Sequence, residues 1–239
     1  YGGIGFPVPQ SYLAFLKVGA YGIGALHKWI LVLNPERLVQ IFQLPGITRL
    51  FATSLRAVSK GFVMACSTGV KRIDIEIHEN KATLFSCIWK NMRDPDCIVI
   101  NKPTNYINWR YTTAPRPYQF LTFKTHGDVL GVVVTRQVRV KRFIVQELAD
   151  IAITEPNPGN FRRVLAAFSL WALEQRAEMV RIIMHNYIPR ISLLSLGYIP
   201  LEKPTPLIVF DHLLPPDIVK TLFFDFRRWK LIGGDWDVI

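Results

Sequence analysis

The fold is decided by residues 143–198, which read FIVQELADIAITEPNPGNFRRVLAAFSLWALEQRAEMVRIIMHNYIPRISLLSLGY. The apolar pattern predicts a strand over Phe143–Ile153, a loop and a helix, a short strand over Met179–Met184, and a last helix near Ile188–Leu196. Asn157-Pro158 favours the start of the first helix, because Asn accepts from N–H groups of the first turn and Pro needs no N–H there. A strand that runs through a loop into a helix N-terminus is a ready anion site.

Composition and charge narrow the classes of function. The chain has 239 residues, half of them apolar, and a formal net charge of +11. This composition is typical of a globular protein with a sizeable core and argues against disorder. The positive charge favours anionic partners, such as phosphorylated cofactors, nucleic acid or a membrane face. Because the basic residues are scattered rather than gathered in a stripe, we predict general surface charge and do not expect a nucleic-acid partner.

Cysteine and histidine usage points to a protein without a metal site. The cysteines are Cys66, Cys87 and Cys97, an odd number without metal-binding spacing, and the five His residues are isolated. We therefore predict reduced thiols in a cytoplasmic protein. We expect no membrane span, because no apolar run approaches the ~20 residues that a span needs. The nearest run, Gly19–Leu33, is interrupted by His27-Lys28. No residue pattern indicates an oligomeric state.

Two segments share an order of strand, Pro-containing break, helix, Gly and aromatic residue. They read GFPVPQSYLAFLKVGAYGIG and MHNYIPRISLLSLGYIP, and Gly19 and Gly197 take the same place in them, 178 residues apart. We interpret the two segments as a degenerate internal repeat. The alternative is that any helix can end in Gly before a strand. Thr68-Gly69 has the composition of a linker, so we place a domain boundary there.

The remaining segments alternate between strand and helix patterns. Before the linker, the predicted elements are a strand over Tyr1–Phe6, a helix over Ser11–Val18, a strand over Leu26–Leu33, and helices over Glu36–Phe42 and Ile47–Ser59. After it, they are the strand Val70–Ile77, the helices Lys81–Met92 and Pro103–Tyr111, the strands Tyr118–Thr125 and Val129–Val138, and a later strand over Leu207–His212. Asn80 is a candidate helix cap, and His126-Gly127-Asp128 is typical of a hairpin turn.

A family resemblance rests on this order of elements and on three motifs. They are Ile107–Tyr111 (INWRY) followed by Pro115 and a hairpin with Gly131, the ending Trp229–Val238 (WKLIGGDWDV), and Gly-Phe-Pro at 5–7 with Ser11, Phe15 and Gly19. The chain resembles the GNAT superfamily of acyl-CoA-dependent N-acyltransferases, in particular bacterial proteins with two tandem units. The resemblance implies an α/β fold with a mixed central sheet flanked by helices. It also implies that residues 1–68 are the C-terminal part of a first unit, truncated at its front, and that residues 69–239 are a complete second unit.

The resemblance implies a co-substrate, acetyl-CoA or another acyl-CoA, and a cradle for its pyrophosphate. The family loop is Arg or Gln, two residues, Gly, one residue, and Gly or Ala, whereas this chain has Pro156, Gly159 and Phe161 at those three places. The cofactor-binding candidates are Gly159, Asn160, Arg162 and Arg163. Basic residues in the first turn of a helix oppose its dipole at a cost of roughly 0.3–1 kcal/mol each, which a bound anion would remove. The alternative is that both arginines lie in solvent.

Glu147 and Asp150 are the candidate bases for amine acylation, because the central strand carries them. Strict strand alternation predicts that they point to opposite faces. The family's usual acid is a Tyr four residues before the Gly that ends the last helix, and that place is Leu193 here. Tyr187 and Tyr198 are nearby, with packing as the more ordinary role for both.

The acceptor site is predicted at Trp109, Arg110 and Tyr111, because an aromatic and guanidinium cluster suits a sugar or a carboxylate. The alternative is a structural plug in which Arg110 pairs with an acid. The resemblance implies an N-acyltransferase that acts on an amine, with amino-sugars of surface glycan assembly among the acceptors. Two other readings stay open. One is a catalytically silent GNAT-like module that binds acceptor or has a structural role, and the other is an aminoacyltransferase of the Fem type.

Overall fold

The computed structural model describes residues 3–7, 9–35, 73–115, 118–201, 204–210 and 225–233. Its strands are β1 (Gly3–Gly5), β2 (Tyr21–Val32), β3 (Ile73–His78), β4 (Gln119–Thr125), β5 (Asp128–Val140), β6 (Phe143–Ile153), β7 (Met179–His185), β8 (Ile199–Pro200), β9 (Thr205–Phe210) and β10 (Leu231–Ile232). Its helices are α1 (Pro9–Lys17), α2 (Ala82–Met92), α3 (Thr104–Ile107), α4 (Pro158–Glu174) and α5 (Arg190–Leu194). A π-helical turn (Asn108–Thr112) and a 3-10 turn (Phe226–Arg228) complete the set. The predicted helices Glu36–Phe42 and Ile47–Ser59 lie outside the described residues, as does Cys66.

The strands form one sheet in the order β1-β9-β2-β7-β6-β5-β4-β3, with β8 beside β2 and β10 beside β7. Among the described strands, β6 and β7 are the one parallel pair, and the other pairings are antiparallel. Helices α2 and α4 both pack on β5 and β6. This mixed, mostly antiparallel sheet flanked by helices confirms the predicted fold class.

The stretch around β6 and α4 folds as its sequence predicts. The strand Phe143–Ile153 has the predicted bounds, and the side-chain oxygen of Asn157 accepts from the N–H of Asn160 at 2.9 Å. Pro158 opens α4, and its apolar side chains, such as Phe161, Val164 and Phe168, are buried. The hairpin turn is also confirmed, since His126 and Gly127 both have positive φ, as a tight two-residue turn requires.

The second strand is longer than predicted, and its glycines explain the difference. Leu26–Leu33 is the predicted strand, but β2 begins at Tyr21 and pairs with β9 through the glycine-rich start. Glycine weakens strand propensity, which hides such a segment from sequence reasoning. Here the missing side chain makes room: a Cβ on Gly24 would collide with the Phe226 ring. Tertiary pairing therefore overrides local preference.

Strand β2 joins the two predicted units into one sheet. It belongs to residues 1–68, yet it lies between β7 and β9 of the second predicted unit. The predicted boundary at Thr68-Gly69 falls among residues that the structure does not describe, so the division at this point stays a prediction. The main core lies between the sheet and the helices, with Phe85, Phe120 and Phe168 among its fully buried side chains.

Candidate functional site

The parallel strands β6 and β7 separate part of the way along the sheet. They pair over four positions, from Val145 opposite Met179 to Leu148 opposite Ile182. Just beyond, β6 carries a bulge: Thr135 of β5 lies opposite Leu148 and Val134 lies opposite Asp150, so Ala149 is the extra residue. A bulge bends its strand and re-aims side chains, and bulges are common beside functional sites. The separation opens the sheet at the carboxyl ends of the parallel pair.

The bulge overturns the prediction that Glu147 and Asp150 point to opposite faces. Alternation over three residues would separate them, but the extra residue restores both to one face. A chain of contacts joins them there: Glu147 pairs with Arg136, and Arg136 lies 4.9 Å from the ring centre of Tyr118. Tyr118 packs edge-on against Tyr111, whose hydroxyl donates to Asp150.

Asp150 lies in a fully buried polar cluster. Its Oδ2 accepts from Lys102 Nζ at 2.7 Å and from the Tyr111 hydroxyl at 2.9 Å, and its Oδ1 accepts from the N–H of Ile151 at 2.9 Å. The side chains of Asp150 and Lys102 are 0% and 1% exposed. A buried charge needs such partners, because water cannot solvate it. A substrate amine would have to displace Lys102 to reach this carboxylate.

Glu147 is also held by cations. Arg136 Nε donates to Oε2 at 2.8 Å, and Arg181 on β7 donates to Oε1 through Nη2 at 2.7 Å and Nε at 3.1 Å. Arg181 lies directly opposite Glu147 in the β6–β7 register. The ion pair therefore ties the two parallel strands together just before they separate.

The opening between the strands is occupied by the chain itself. Strand β10 pairs with β7 at Met184 and His185. At Gly233, a Cβ would lie 3.6 Å from the carbonyl oxygens of Ala149 and Ile183 and 3.7 Å from that of Leu148. A cavity of only about 10 Å³ remains on the Glu147 side, about the space of one water molecule.

A larger pocket, of about 380 Å³, lies where β6 and β7 end. Ligands of open α/β sheets bind at the carboxyl ends of strands, which is where this pocket lies. It is lined by Trp89, Asn91, Met92, Arg93, Asp94, Val99, Pro156, Phe161, Asn186, Tyr187, Pro189 and Lys230. The lining thus combines the end of α2, the start of α4, the segment after β7 and the segment before β10.

The pocket rim carries charges of both signs. Lys230 Nζ donates to Asp94 Oδ2 at 3.0 Å, and the Cys97 thiol donates to the same oxygen at 3.2 Å. These bonds lower the pKa of Asp94 to about 2. Burial and the bond to Asp94 raise the pKa of Cys97, so this thiol stays protonated near neutral pH. Arg93 lies 5.3 Å from the Trp89 ring centre. The rim offers two cations and one carboxylate.

The predicted cofactor cradle lies beside the pocket rather than in its lining. The N–H of Asn160 is bonded to Asn157, and its side-chain amide donates to the Glu155 carbonyl at 3.0 Å. Arg162 is exposed, and Arg163 donates to Thr125 at 3.2 Å. Gly159 is exposed in the first turn of α4. The buried Phe161 is the residue of this turn that reaches the pocket.

The predicted acceptor residues do not share one environment. Trp109 is 60% exposed and packs against Tyr106, whereas Tyr111 is buried beside Asp150. Arg110 is half-buried. All three belong to the π-helical turn, and none lines the 380 Å³ pocket. Their proposed role in acceptor binding stays a prediction.

The two tyrosines near the last helix have different surroundings. Tyr187 lines the pocket, and its hydroxyl donates to the Ile151 carbonyl at 3.1 Å. Lys102 Nζ lies 5.0 Å from its ring centre, which links the pocket wall to the Asp150 cluster. Tyr198 is fully buried against Ser169, and burial raises its pKa. Tyr187 is thus the tyrosine with access to the pocket.

Sequence reasoning missed most of the pocket. Trp89, Arg93 and Asp94 belong to no motif, and Lys230 lies in the WKLIGGDWDV motif without being a predicted site residue. Asp94 and Lys230 are 136 residues apart in the chain. Over the residues that the structure describes, no group of three His, Cys, Asp or Glu side chains is placed to hold a metal ion. Within the same residues, no helix has the length and apolar character needed to cross a bilayer.

Comparisons with known proteins identify the fold. No protein-family model matches the sequence, and no curated protein matches it. Solved structures do match. A GCN5-related N-acetyltransferase from Anabaena variabilis ATCC 29413 has a TM-score of 0.52 at 10% identity, over 87% of this chain and 45% of that one. A GCN5-related N-acetyltransferase from Kribbella flavida has a TM-score of 0.51 at 9% identity, over 87% and 42%.

A functionally unknown conserved protein from Staphylococcus epidermidis ATCC 12228 has a TM-score of 0.50 at 13% identity, over 87% of this chain and 69% of that one. The chain therefore has the fold of the GCN5-related N-acetyltransferases, which confirms the predicted resemblance at the level of the fold. It spans less than half the length of the two acetyltransferase chains. The tandem arrangement stays a prediction.

Proposed function

We propose that the chain is an acyl-CoA-dependent acyltransferase that binds the acyl-CoA in the 380 Å³ pocket. One observation carries the proposal: in a chain with the GNAT fold, the pocket lies at the carboxyl ends of the one described parallel pair of strands. That place combines strand ends, a helix N-terminus and rim cations, which are the features that bind phosphorylated ligands.

The pocket suits an elongated ligand with an anionic end. Its volume falls within the roughly 300–1,000 Å³ of small-molecule sites. Trp89, Phe161 and Tyr187 supply apolar walls for an aliphatic arm. Arg93 and Lys230 at the rim are placed to pair with phosphate oxygens, and charge-assisted bonds of this kind are roughly twice as strong as neutral ones.

The proposed reaction is transfer of the acyl group to an amine. The amine nitrogen attacks the thioester carbon, the C–N bond forms as the C–S bond breaks, and the proton lost by nitrogen ends on sulphur. Neither Glu147 nor Asp150 lines the pocket, and Asp94, which does, has a pKa of about 2 and is a weak base, so we propose that the amine enters uncharged. Tyr187 lines the pocket, and we propose it as the acid for the leaving sulphur, in which case its hydroxyl has to leave the Ile151 carbonyl to which it donates. The acceptor class, an amine that includes amino-sugars, rests on the family resemblance.

A second candidate is a GNAT-like module that binds its ligand without catalysis. Two observations favour it: the carboxylates of β6 are held in ion pairs, buried for Asp150 and partly buried for Glu147, and Gly233 occupies the gap between the strands. In that case the pocket would bind acyl-CoA or acceptor but would not transfer the acyl group.

Calorimetric titration with acetyl-CoA and with CoA at low salt tests the proposal, followed by release of free CoA thiol in the presence of a panel of amines. Binding with thiol release supports the enzyme, and binding without release supports the silent module. No binding of either ligand would overturn both. Tyr187→Phe should lower the rate of thiol release and leave the acetyl-CoA affinity within a factor of about two.

Matched arginine variants locate the bound phosphates. Arg93 and Arg162 are both exposed, but only Arg93 lines the pocket. Arg93→Ala should weaken CoA binding about tenfold, equivalent to about 1.4 kcal/mol. The predicted cradle requires instead that Arg162→Ala with Arg163→Ala have this effect. If only the double variant weakens binding, the phosphates lie on the first turn of α4 and the rim assignment is wrong.

A further inference from the structure

One face of the sheet carries a row of charged side chains across three strands. Arg136 of β5 lies opposite Glu147 of β6, and Glu147 lies opposite Arg181 of β7. Arg181 in turn lies opposite Ile30 of β2. Because directly opposite residues of neighbouring strands share a face of the sheet, these four side chains form one row. The charged part of the row has two cations and one anion.

Lys28 adds a third cation beside this row. It lies two residues before Ile30 on β2, so its side chain is on the same face, diagonal to Arg181. Lys28 is half-buried, and its pKa is lowered, first by burial and second by the charge of Arg181. Across the part of the chain that the structure describes, no carboxylate forms an ion pair with Lys28. Lys28, Arg136, Arg181 and Glu147, which we call the basic cluster, thus have an excess of positive charge.

Lys28 differs from the lysines that form ion pairs. Lys102, Lys124 and Lys230 each lie within 3.0 Å of a carboxylate oxygen. A half-buried cation that has no such partner and lies beside a second cation is destabilised by lost hydration and by repulsion. An anion bound at the cluster would offset both effects.

The cluster keeps hydrogen-bond donors for such an anion. Arg181 donates to Glu147 Oε1 through Nε and Nη2, and its Nη1 has no hydrogen bond within the described residues. The ammonium group of Lys28 brings three further N–H donors. A phosphate monoester has three acceptor oxygens and roughly two negative charges at neutral pH. It therefore matches three cations and one carboxylate better than a singly charged carboxylate does.

Apolar side chains adjoin Lys28 on the side away from Arg181. Strand β8 lies along that edge of β2, with Ile199 opposite Ile30, and the N–H of Leu201 donates to the Lys28 carbonyl at 2.7 Å. Ile199 and Leu201 are 52% and 38% exposed. Exposed apolar side chains beside unpaired positive charge favour a ligand with an anionic group and an apolar organic part.

We propose that the basic cluster binds the phosphate group of a small phosphate monoester, whose apolar organic part lies over Ile199 and Leu201. Lys28 and Arg181 donate to the phosphate oxygens, and Glu147 is a positioning residue that holds Arg181 in place. None of the four cluster residues lines the 380 Å³ pocket, so this is a second ligand site, separate from the one proposed for acyl-CoA.

Urea unfolding with added phenyl phosphate or inorganic phosphate, at constant ionic strength near neutral pH, tests the proposal. A ligand that binds only the folded chain raises the urea midpoint as its concentration increases. Both ligands should do so, phenyl phosphate at an at least about tenfold lower concentration, because its ring adds apolar contact. Phosphate also stabilises proteins through exclusion from their surface, so the comparison of variants decides the matter.

Lys28→Met and Lys17→Met form a matched pair, because each removes one lysine charge and Lys17 is exposed at the end of α1. Without ligand, Lys28→Met should raise the urea midpoint, since the cost of burying a charge beside Arg181 disappears, and Lys17→Met should not. With phenyl phosphate, Lys28→Met should bind at least about tenfold more weakly, and Lys17→Met should bind like the natural chain. An equal response of the two variants would overturn the proposal. So would a phenyl phosphate response that saturating CoA abolishes, since the phosphate would then occupy the CoA site.

Ile199→Ser tests where the organic part lies. This variant should weaken the binding of phenyl phosphate and leave that of inorganic phosphate unchanged, because it removes apolar contact and no charge. An unchanged affinity for phenyl phosphate would overturn the placement of the organic part over β8.

Discussion

The Asp150–Lys102 pair and the Asp94–Lys230 pair have the same chemistry in opposite surroundings. The first joins Oδ2 and Nζ at 2.7 Å with side chains 0% and 1% exposed, and the second joins the same atom types at 3.0 Å with side chains 41% and 33% exposed. A buried pair cannot lose one member without leaving an unsolvated charge, whereas water takes over at an exposed pair. Burial therefore decides which pair holds the fold and which can respond to a ligand.

Lys102→Met should have the largest effect, because it leaves the Asp150 carboxylate buried without its ammonium partner. Removing one member of a buried pair costs about 3–5 kcal/mol. Urea unfolding at neutral pH measures the loss. Lys124→Met is the matched control, since Lys124 pairs with Glu76 at the surface, and it should cost less than about 1 kcal/mol.

A second variant separates charge from packing at the same position. Lys102→Met combined with Asp150→Asn removes both charges and keeps an oxygen that can accept from Tyr111. The double variant should recover most of the lost stability. If the double variant is no more stable than Lys102→Met alone, the loss of stability comes from packing. An unchanged urea midpoint in Lys102→Met itself would show that the buried pair is not needed for stability.

Glu147→Gln should have the next largest effect. Gln keeps the shape and one oxygen, but Arg136 and Arg181 lose their common carboxylate, so we expect a loss of about 1–3 kcal/mol in unfolding free energy. The acetyl-CoA affinity should stay the same, because Glu147 does not line the pocket. Lost turnover with unchanged stability would instead support the predicted role of Glu147 as the base.

The sequence predicted the strand β6 and the helix α4 better than it predicted where the charged side chains of β6 point. Local signals are strong around β6 and α4, where an Asn cap, a Pro and a regular apolar pattern agree, and the observed bounds follow them. The rule that side chains alternate between the two faces of a strand failed between Glu147 and Asp150. It failed because the extra residue Ala149 arises from pairing with β5. A bulge is a property of two strands, so one strand's sequence does not specify it.

The pocket could not be predicted for a related reason. Its rim pair joins a loop after α2 to a residue before β10, and neither segment has a pattern that indicates the other. Phe161 stands where the family has a small residue, and that departure indicated a changed loop. What it could not indicate is that the ring forms a wall of the pocket. Long-range proximity of single charged residues leaves no periodic signal in a sequence.

His185 extends the comparison of the buried Asp150–Lys102 pair with the exposed Asp94–Lys230 pair, because it is a buried titratable group without a charged partner in a salt bridge among the described residues. Its ring stacks on Phe226 at 3.6 Å, its Nε2 donates to the Phe226 carbonyl at 2.9 Å, and it is 8% exposed. Burial lowers its pKa from 6.5 to about 4, and the hydrogen bond to Phe226 opposes this change. His27 and Arg190, the nearby cationic groups, lower it further.

The pH dependence of stability should show this group. Below pH 6.5 the unfolded chain takes up a proton at His185 that the folded chain does not bind until about pH 4. The stability due to the neutral ring is therefore present above pH 6.5 and is lost as the pH falls to about 4. Urea midpoints of the natural chain and of His185→Gln, measured across this range, should converge at the acid end. Parallel curves would show that His185 does not titrate differently in the two states.

Asp94→Asn should have the smallest effect on stability and the clearest effect on binding. Exposed pairs contribute less than about 1 kcal/mol, so the urea midpoint should barely move. The pKa of about 2 means that any contribution of Asp94 to stability is present above pH 3.8 and is lost only as the pH falls through 2.

Asp96→Asn, in the same loop, is the exposed control for the effect of Asp94→Asn on binding. Because Asn releases Lys230 from its carboxylate partner, CoA should bind more tightly to Asp94→Asn than to Asp96→Asn at low salt. Weaker binding would mean that Asp94 itself contacts CoA, and the assignment of the phosphates to Arg93 and Lys230 would then be wrong.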